Sequence, residues 1–147
     1  MGRWRYLNIL ILLACAVFLY LGLFTARSPL VPKPLGAVVR AEQAIGPWSV
    51  RIGHGDSLAP GQRVVVQVRF CPRCYRHILR AGLAVAATPP EGLDAPAVAP
   101  LHGEPHRHSA AVRIPADGAP EDLILWLGAR GLDGRTHWTG WPLRPPG

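Results

Sequence analysis

The stretch RVVVQVRF, residues 63–70, decides the fold class of this chain. In an extended strand, successive side chains point to opposite faces. One face of this segment would then carry only apolar side chains: Val64, Val66, Val68 and Phe70. Spacing of β-branched residues at a period of two predicts a half-buried β-strand rather than a helix. We therefore expect a β domain built around this segment.

Further strand candidates lie on both sides of it, and Gly- and Pro-rich loops such as residues 53–62 separate them. Asp133-Gly134 is a strong hairpin signal between the last two candidates. Short strands at close spacing with no clear helix predict a small antiparallel β-sandwich. The other strand candidates are Trp48–Ile52, His108–Ile114, Asp122–Ala129 and Arg135–Leu143.

An uncharged apolar run, YLNILILLACAVFLYLGLF at residues 6–24, precedes the domain. Such a helix rises about 28 Å, close to the hydrocarbon thickness of a bilayer, so we expect a single transmembrane helix. A cleaved secretory signal is one alternative, although no small-residue cleavage site follows the run. Lipidation at Cys15 is another, although an apolar rather than a polar segment follows it. Apolarity on every face argues against a buried helix of a soluble protein.

The charges beside the run predict its orientation. Residues 1–5 contain Arg3 and Arg5, and a short basic tail favours the cytoplasmic side. Basic residues also follow the run, so the orientation depends mainly on this tail. We expect a cytoplasmic tail at residues 1–5, a Pro-rich stalk at 25–44 and an extracytoplasmic β-sandwich domain at 45–147. The expected location is the bacterial inner membrane, single-pass, with the C-terminal domain in the periplasm.

The composition limits the classes of function. The formal net charge is +7, and every basic residue except Lys33 is arginine. A membrane anchor and the lack of a nucleic-acid motif make nucleic acid an unlikely partner, whereas a basic surface near anionic lipid headgroups is expected. The chain has no GxSxG, Walker, GxGxxG or HExxH motif. It therefore gives no sign of a hydrolytic or nucleotide site.

The densest chemical feature is Cys71-Pro72-Arg73-Cys74, in which two thiols are separated by two residues. This spacing allows a disulfide or joint binding of a metal ion. In an oxidising compartment the first expectation is a structural disulfide. Tyr75 stands where a c-type haem motif requires histidine, so haem attachment is excluded. Nearby arginines would stabilise a thiolate, which favours a redox or metal role.

Histidines provide a second group of candidate ligands. His106 and His108 would point to the same side of an extended chain, and neutral imidazoles suit copper or zinc. With Cys71, Cys74 and His77 they would make a mixed sulfur and nitrogen site, provided that the fold brings the segments together.

The whole layout is a short basic tail, one span, a Pro-rich stalk and a β domain that begins near Gly46-Pro47-Trp48 and carries a CxxC after its second strand. This layout resembles that of small bacterial membrane-tethered proteins such as the FixH-like proteins. The resemblance implies an extracytoplasmic accessory protein that handles metal (copper or iron) or assembles a membrane complex, with an integral membrane protein complex as partner. It implies no functional residue.

A thiol-disulfide oxidoreductase is the alternative. The strand RVVVQVRF followed by CPRC and by a possible helix in Tyr75–Thr88 resembles the active site of the thioredoxin family. That resemblance implies that Cys71 is the attacking thiol and Cys74 the resolving one. The segment Tyr75–Thr88 is ambiguous, because its first half permits a helix and its LAVA run suits a strand. A strand there would exclude this alternative.

Overall fold

The computed structural model describes residues 2–25, 34–104 and 107–144. The chain divides into two compact units, Met1–Lys33 and Pro34–Gly147. Helix α1, Gly2–Thr25, makes up the described part of the first unit. It contains the predicted run, and its segment Gly2–Leu23 is long and apolar enough to cross a membrane. The prediction of one N-terminal apolar helix is confirmed.

The second unit is a domain of two antiparallel sheets, which confirms the predicted fold class. The strands are β1 Val38–Val39, β2 Gln43–Ile45, β3 Trp48–His54, β4 Arg63–Phe70, β5 Ile78–Ala86, β6 Ala99–Pro100, β7 His102–Glu104, β8 Arg107–Arg113, β9 Ile124–Gly131 and β10 Thr136–Pro142. The first sheet has the strand order β1-β3-β4-β8-β7, and β2 also pairs with β3. The second sheet has the order β10-β9-β5-β6.

The core lies between the two sheets. In β4 the apolar side chains predicted to share a face are buried or half-buried, and Val66 and Val68 are almost completely covered. The second sheet contributes Leu83, Leu125 and Leu127 from β5 and β9. Each such aliphatic side chain stabilises the domain by about 1.5–3 kcal/mol through burial. The predicted hairpin is present, because β9 and β10 pair over their whole length across Asp133-Gly134.

The domain begins before the expected boundary at Ile45. Residues 34–44 belong to it, and residues 26–33 of the expected stalk lie outside the described residues. Leu35 is buried against Gly53, where any added Cβ would lie 2.5 Å from the leucine side chain. Strand β1 then pairs with the end of β3, with Val38 opposite His54. The chain thus enters the domain at the C-terminal end of β3.

A polar pair fixes this entry end. The Arg40 Nε–H donates to Nε2 of His54 at 3.0 Å, and Arg40 Nη2 donates to the Leu143 carbonyl at 2.7 Å. The other ring nitrogen of His54 lies 2.7 Å from the Gly55 carbonyl oxygen, which makes it the protonated nitrogen. His54 is only 3% exposed. Burial lowers the pKa of Arg40. These bonds connect β1, β3 and the C-terminal segment.

The ambiguous segment Tyr75–Thr88 is largely a strand. A 3-10 helix covers only Cys74–His77, and β5 follows at once. The loop after β5 folds back over the outer face of the second sheet, where buried Leu93 lies against Gly82 and Gly128. Since no α-helix follows CPRC in this described segment, the β-turn-α unit of the thioredoxin family is absent from it. The structural expectation of the oxidoreductase alternative is therefore not met.

Candidate functional site at the disulfide end

The CPRC segment forms a tight turn at the end of β4. The Cys74 N–H donates to the Cys71 carbonyl at 3.0 Å, and Pro72 and Arg73 occupy the two central positions. Arg73 has φ 66° and ψ −7°, which matches the third residue of a type II turn, a position that usually requires glycine. Proline at the second position favours the same turn. The local sequence therefore bends the chain so that the two cysteines face each other.

Cys71 and Cys74 form a disulfide, with Cα atoms 5.3 Å apart. The Cys71 N–H donates to the Ser49 carbonyl at 2.9 Å, and the Ser49 N–H donates to Cys71 Sγ at 3.4 Å. Both cysteines are half-buried against the core. The expectation of a disulfide at this motif is confirmed, and the turn is attached to β3 on one side.

The 3-10 helix continues from the turn and is attached to the second sheet. The Leu132 N–H of the β9–β10 hairpin donates to the His77 carbonyl at 3.2 Å, and the Ile78 N–H donates to the Tyr75 carbonyl. Arg76 and His77 are exposed, whereas Tyr75 is half-buried. The disulfide turn and the 3-10 helix, which carries Tyr75, are therefore attached to both sheets.

An open cleft of about 270 Å³ lies beside Tyr75, between β4, β8 and β7 of the first sheet and β5 and β6 of the second. This volume is near the lower end of small-ligand pockets, about 300–1,000 Å³. Its wall is mainly apolar, and Leu79 at its mouth is 63% exposed. The lining residues are Phe70, Tyr75, Ile78, Leu79, Arg80, Ala81, Pro100, Leu101, Gly103 and His108.

His108 is a polar group inside this apolar wall. Its ring packs edge to face against Phe70, with 6.1 Å between the ring centres. Burial lowers the pKa of His108, because the cleft disfavours the charged imidazolium. The imidazole is therefore neutral at pH 7 and offers one hydrogen-bond donor and one acceptor. Tyr75 and Arg80 also line the cleft and carry polar groups. A few polar groups in an apolar cleft are typical of a site that binds and orients a ligand segment.

The cleft lies at one end of the domain, and its one charged lining residue, Arg80, forms an ion pair with Asp94. The disulfide turn follows the C-terminal end of β4, whereas the chain enters the domain beside the C-terminal end of the antiparallel β3. The cleft thus lies at the end of the domain far from the entry point.

The match to known sequences covers both units of the chain. The profile of one family, described as "Uncharacterised conserved protein UCP029505", matches residues 1–144. The chain belongs to this family. No curated protein and no solved structure matches it. Because the match runs through helix α1 and the β domain alike, both are parts of the family's architecture. Nothing in the comparisons connects the chain to FixH-like proteins, so that resemblance stays a prediction.

The predicted metal ligands are only partly brought together. Cys71 and Cys74 are joined to each other, so neither offers a free thiolate in this state. His77 is exposed on the 3-10 helix, His108 lines the cleft, and His106 lies outside the described residues. Among the residues that the structure describes, no group of three or more His, Cys, Asp or Glu side chains is placed to hold a metal ion. The copper or zinc site stays a prediction.

Sequence reasoning missed the aromatic and aliphatic wall of the cleft. The sequence pattern places Phe70 on the apolar face of β4 and uses Tyr75 only to exclude haem attachment. Leu79 lies at an irregularity in the pairing of β5 with β9, between Ile78 and Arg80, and its side chain is exposed. An exposed leucine next to a disulfide turn would have been a usable signal once β5 was known to be a strand. The Arg40–His54 pair gave no signal, since its partners are 14 residues apart.

Proposed function

We propose that this protein is a membrane-anchored accessory protein that helps to assemble a membrane complex, and that its cleft binds a segment of an integral membrane partner. The observation that supports this proposal is the open apolar cleft beside the Cys71–Cys74 disulfide. Apolar side chains exposed around a concave surface are typical of interaction sites. Tyr75 and His108 would fix the orientation of the bound segment through hydrogen bonds.

The proposed location is the bacterial inner membrane, with α1 as a single-pass anchor and the domain in the periplasm. Two observations support it. Arg3 and Arg5 precede the apolar part of α1, as expected of a cytoplasmic end. A disulfide persists in oxidising compartments, among which the periplasm is one, and is rare in the cytosol.

The layout of the sequence also predicts that the protein handles copper or iron, but fewer observations support this role than support partner binding. It would require reduction of the disulfide to release the thiolates of Cys71 and Cys74. It would also require His106, or ligands from the partner, to complete a site around His108. Partner binding needs neither change, so we base the proposed function on it. Because a strand rather than an α-helix follows CPRC, we also expect the purified protein to show no insulin-reducing activity that depends on Cys71.

Two equally exposed leucines allow a controlled test. Leu79 is 63% exposed and lines the cleft, whereas Leu132 is 62% exposed and does not line it. The full chain would be tagged at its C-terminus, expressed in its native host and purified from membranes in mild detergent. We expect Leu79→Glu to abolish retention of a stoichiometric membrane partner that wild type and Leu132→Glu retain. A carboxylate in an apolar interface would be desolvated without a partner charge.

Equal retention of the partner by both variants would contradict the proposal, and so would equal loss. Thermal unfolding of each variant provides the necessary check, because both substitutions are at exposed positions and should leave the domain folded. Tyr75→Phe adds a finer comparison. It keeps the ring that lines the cleft and removes only the hydroxyl, so it should weaken retention less than Leu79→Glu.

A further inference from the structure

The outer face of the first sheet carries a dense group of arginines, which we call the arginine face. Residues of β3, β4 and β8 alternate between the core and this face, because their neighbours such as Val64 and Val112 are buried. Ser109 and Ala111 lie between the arginines of β4 and β8, whereas Gly53 in β3 is covered by Leu35. The members of the arginine face are Arg51, Arg63, Arg69, Arg107 and Arg113.

The strand register places arginines directly opposite one another. Arg51 faces Arg69 across β3 and β4, and Arg63 faces Arg113 across β4 and β8. Like charges in such pairs are destabilising. Glu42 offsets the first pair, with Oε2 3.4 Å from Arg51 Nη2.

The second pair has no such compensation. Arg63 and Arg113 are both exposed, and within the described ranges neither has an acidic partner. Directly opposite residues have Cβ atoms only about 5 Å apart, so the two guanidinium groups can reach the same volume. Guanidinium groups bind phosphate with paired N–H donors. A phosphate between these two side chains would turn their repulsion into two charge-assisted contacts.

Apolar groups lie beside the pair. Val65, next to both arginines on the same face, is 56% exposed, and Val39 at the edge is 50% exposed. An acidic protein segment would match the arginines alone, whereas a phospholipid surface offers phosphates for the arginines and an apolar boundary for the valines. The position of the two arginines in the domain also favours a phospholipid surface as the partner. Arg63 and Arg113 lie at the end of the sheet where the chain enters the domain, and in the sequence only residues 26–33 separate this entry point from α1.

We propose that the arginine face binds the headgroups of an anionic phospholipid surface, with Arg63 and Arg113 as the paired phosphate ligands. This inference goes beyond partner binding at the cleft and uses different residues. The cleft opens at the other end of the strands, so a domain bound to lipid through Arg63 and Arg113 keeps the cleft accessible.

The test uses the domain Pro34–Gly147, which we expect to fold on its own because the hydrophobic core cluster lies within it, and its cooperative thermal unfolding is measured first. Vesicles of phosphatidylcholine alone, or mixed with phosphatidylglycerol, are titrated into the domain and binding is measured by sedimentation. We expect binding only to the mixed vesicles, with loss at high salt. Arg63→Gln with Arg113→Gln should weaken binding about 30-fold, since each arginine near an anionic surface contributes about fivefold.

A charge-matched control separates a site from a general effect of net charge. Arg73→Gln with Arg76→Gln removes the same charge from exposed positions on the disulfide turn and helix. This control should weaken binding by no more than about threefold. Thermal melts of both variants confirm that they are folded, and we expect the Arg63/Arg113 variant to be at least as stable as wild type because a like-charge pair is removed.

Three results would overturn the proposal: equal weakening by the two double variants, equal binding to vesicles without phosphatidylglycerol, or binding to a polyglutamate peptide but not to vesicles. The last result would assign the face to an acidic protein segment instead. The test is independent of the proposed function. Loss of vesicle binding by the Arg63/Arg113 variant leaves the retention experiment with Leu79→Glu unchanged, and each can fail without the other.

Discussion

Arg73 gives a sharp prediction because a glycine there should stabilise the protein. Among the residues that the structure describes, it is the one non-glycine residue with positive φ, at 66°. A left-handed conformation costs an L-residue with a Cβ about 1–2 kcal/mol. Glycine removes this cost but loses about 0.5–1 kcal/mol through the greater freedom of the unfolded chain. We therefore expect Arg73→Gly to raise the free energy of unfolding by about 0.5–1 kcal/mol.

Thermal unfolding of the oxidised domain measures this change. For a domain of this size the gain corresponds to a rise in Tm of about 2–5 °C. Arg73→Ala removes the same side chain without relieving the backbone, so its Tm should stay near that of wild type. Arg76→Gly places glycine at an exposed neighbour whose φ is negative, and it should lower stability by about 0.5–1 kcal/mol.

The comparison between the two variants at position 73 decides the outcome. If Arg73→Gly is no more stable than Arg73→Ala, the turn is not strained and the explanation from positive φ is wrong. If both variants are stabilised equally, the gain comes from removing a positive charge among the neighbouring arginines. The disulfide must be intact in all samples, which a thiol assay under denaturing conditions establishes.

Three further predictions concern the polar pair, the cleft and the disulfide. His54→Ala should lower the free energy of unfolding by about 3 kcal/mol, because the half-buried Arg40 loses its buried acceptor and a cavity remains. Arg40→Met in the same chain should restore part of this loss in urea unfolding. Burial lowers the pKa of His108, so the native state binds a proton at this ring less readily than the unfolded chain does. The contribution of His108 to stability is therefore complete above the unfolded pKa near 6.5. It is lost as the pH falls through the lower folded pKa. His108→Gln should remove that part of the pH dependence in denaturant titrations from neutral to acidic pH, and an unchanged slope would contradict the assignment. Replacing Cys71 and Cys74 together by serine should cost only about 2 kcal/mol, since the closed loop is short, and the domain should still unfold cooperatively.

A strand could be predicted from the sequence when only one of its faces is buried. β4 coincides with the predicted segment because one of its faces is buried and the other is open, which gives a clear period of two. β5 was ambiguous because Gly82–Val85 are buried in succession. Their outer side is covered by the loop that carries Leu93, so apolar and polar residues do not alternate.

The short strands could not be predicted for a different reason. β1, β6 and β7 have only two or three residues each, and their pairing with β3, β5 and β8 is what defines them. No local pattern of that length distinguishes a strand from a loop. The same limit explains why a Pro-rich stalk was expected up to residue 44, although the segment from Pro34 onward is part of the domain.

The disulfide of the candidate site was predicted from the sequence, whereas the cleft beside it was not. The disulfide follows from the spacing of its cysteines, whereas the cleft depends on contacts between segments as distant as Phe70 and His108, which no local pattern encodes.

The small size of the disulfide loop makes its role local. Its loss should leave most of the stability in place, because the two-sheet core does not include the turn. The disulfide constrains the path of the chain from β4 to Tyr75. Apart from the disulfide, backbone hydrogen bonds at Ser49 and Leu132 attach the turn and the 3-10 helix to the two sheets. A covalent closure at this point therefore acts mainly on the wall of the cleft. This is the expected arrangement if the cleft, rather than a reactive thiol, is the functional part of the motif.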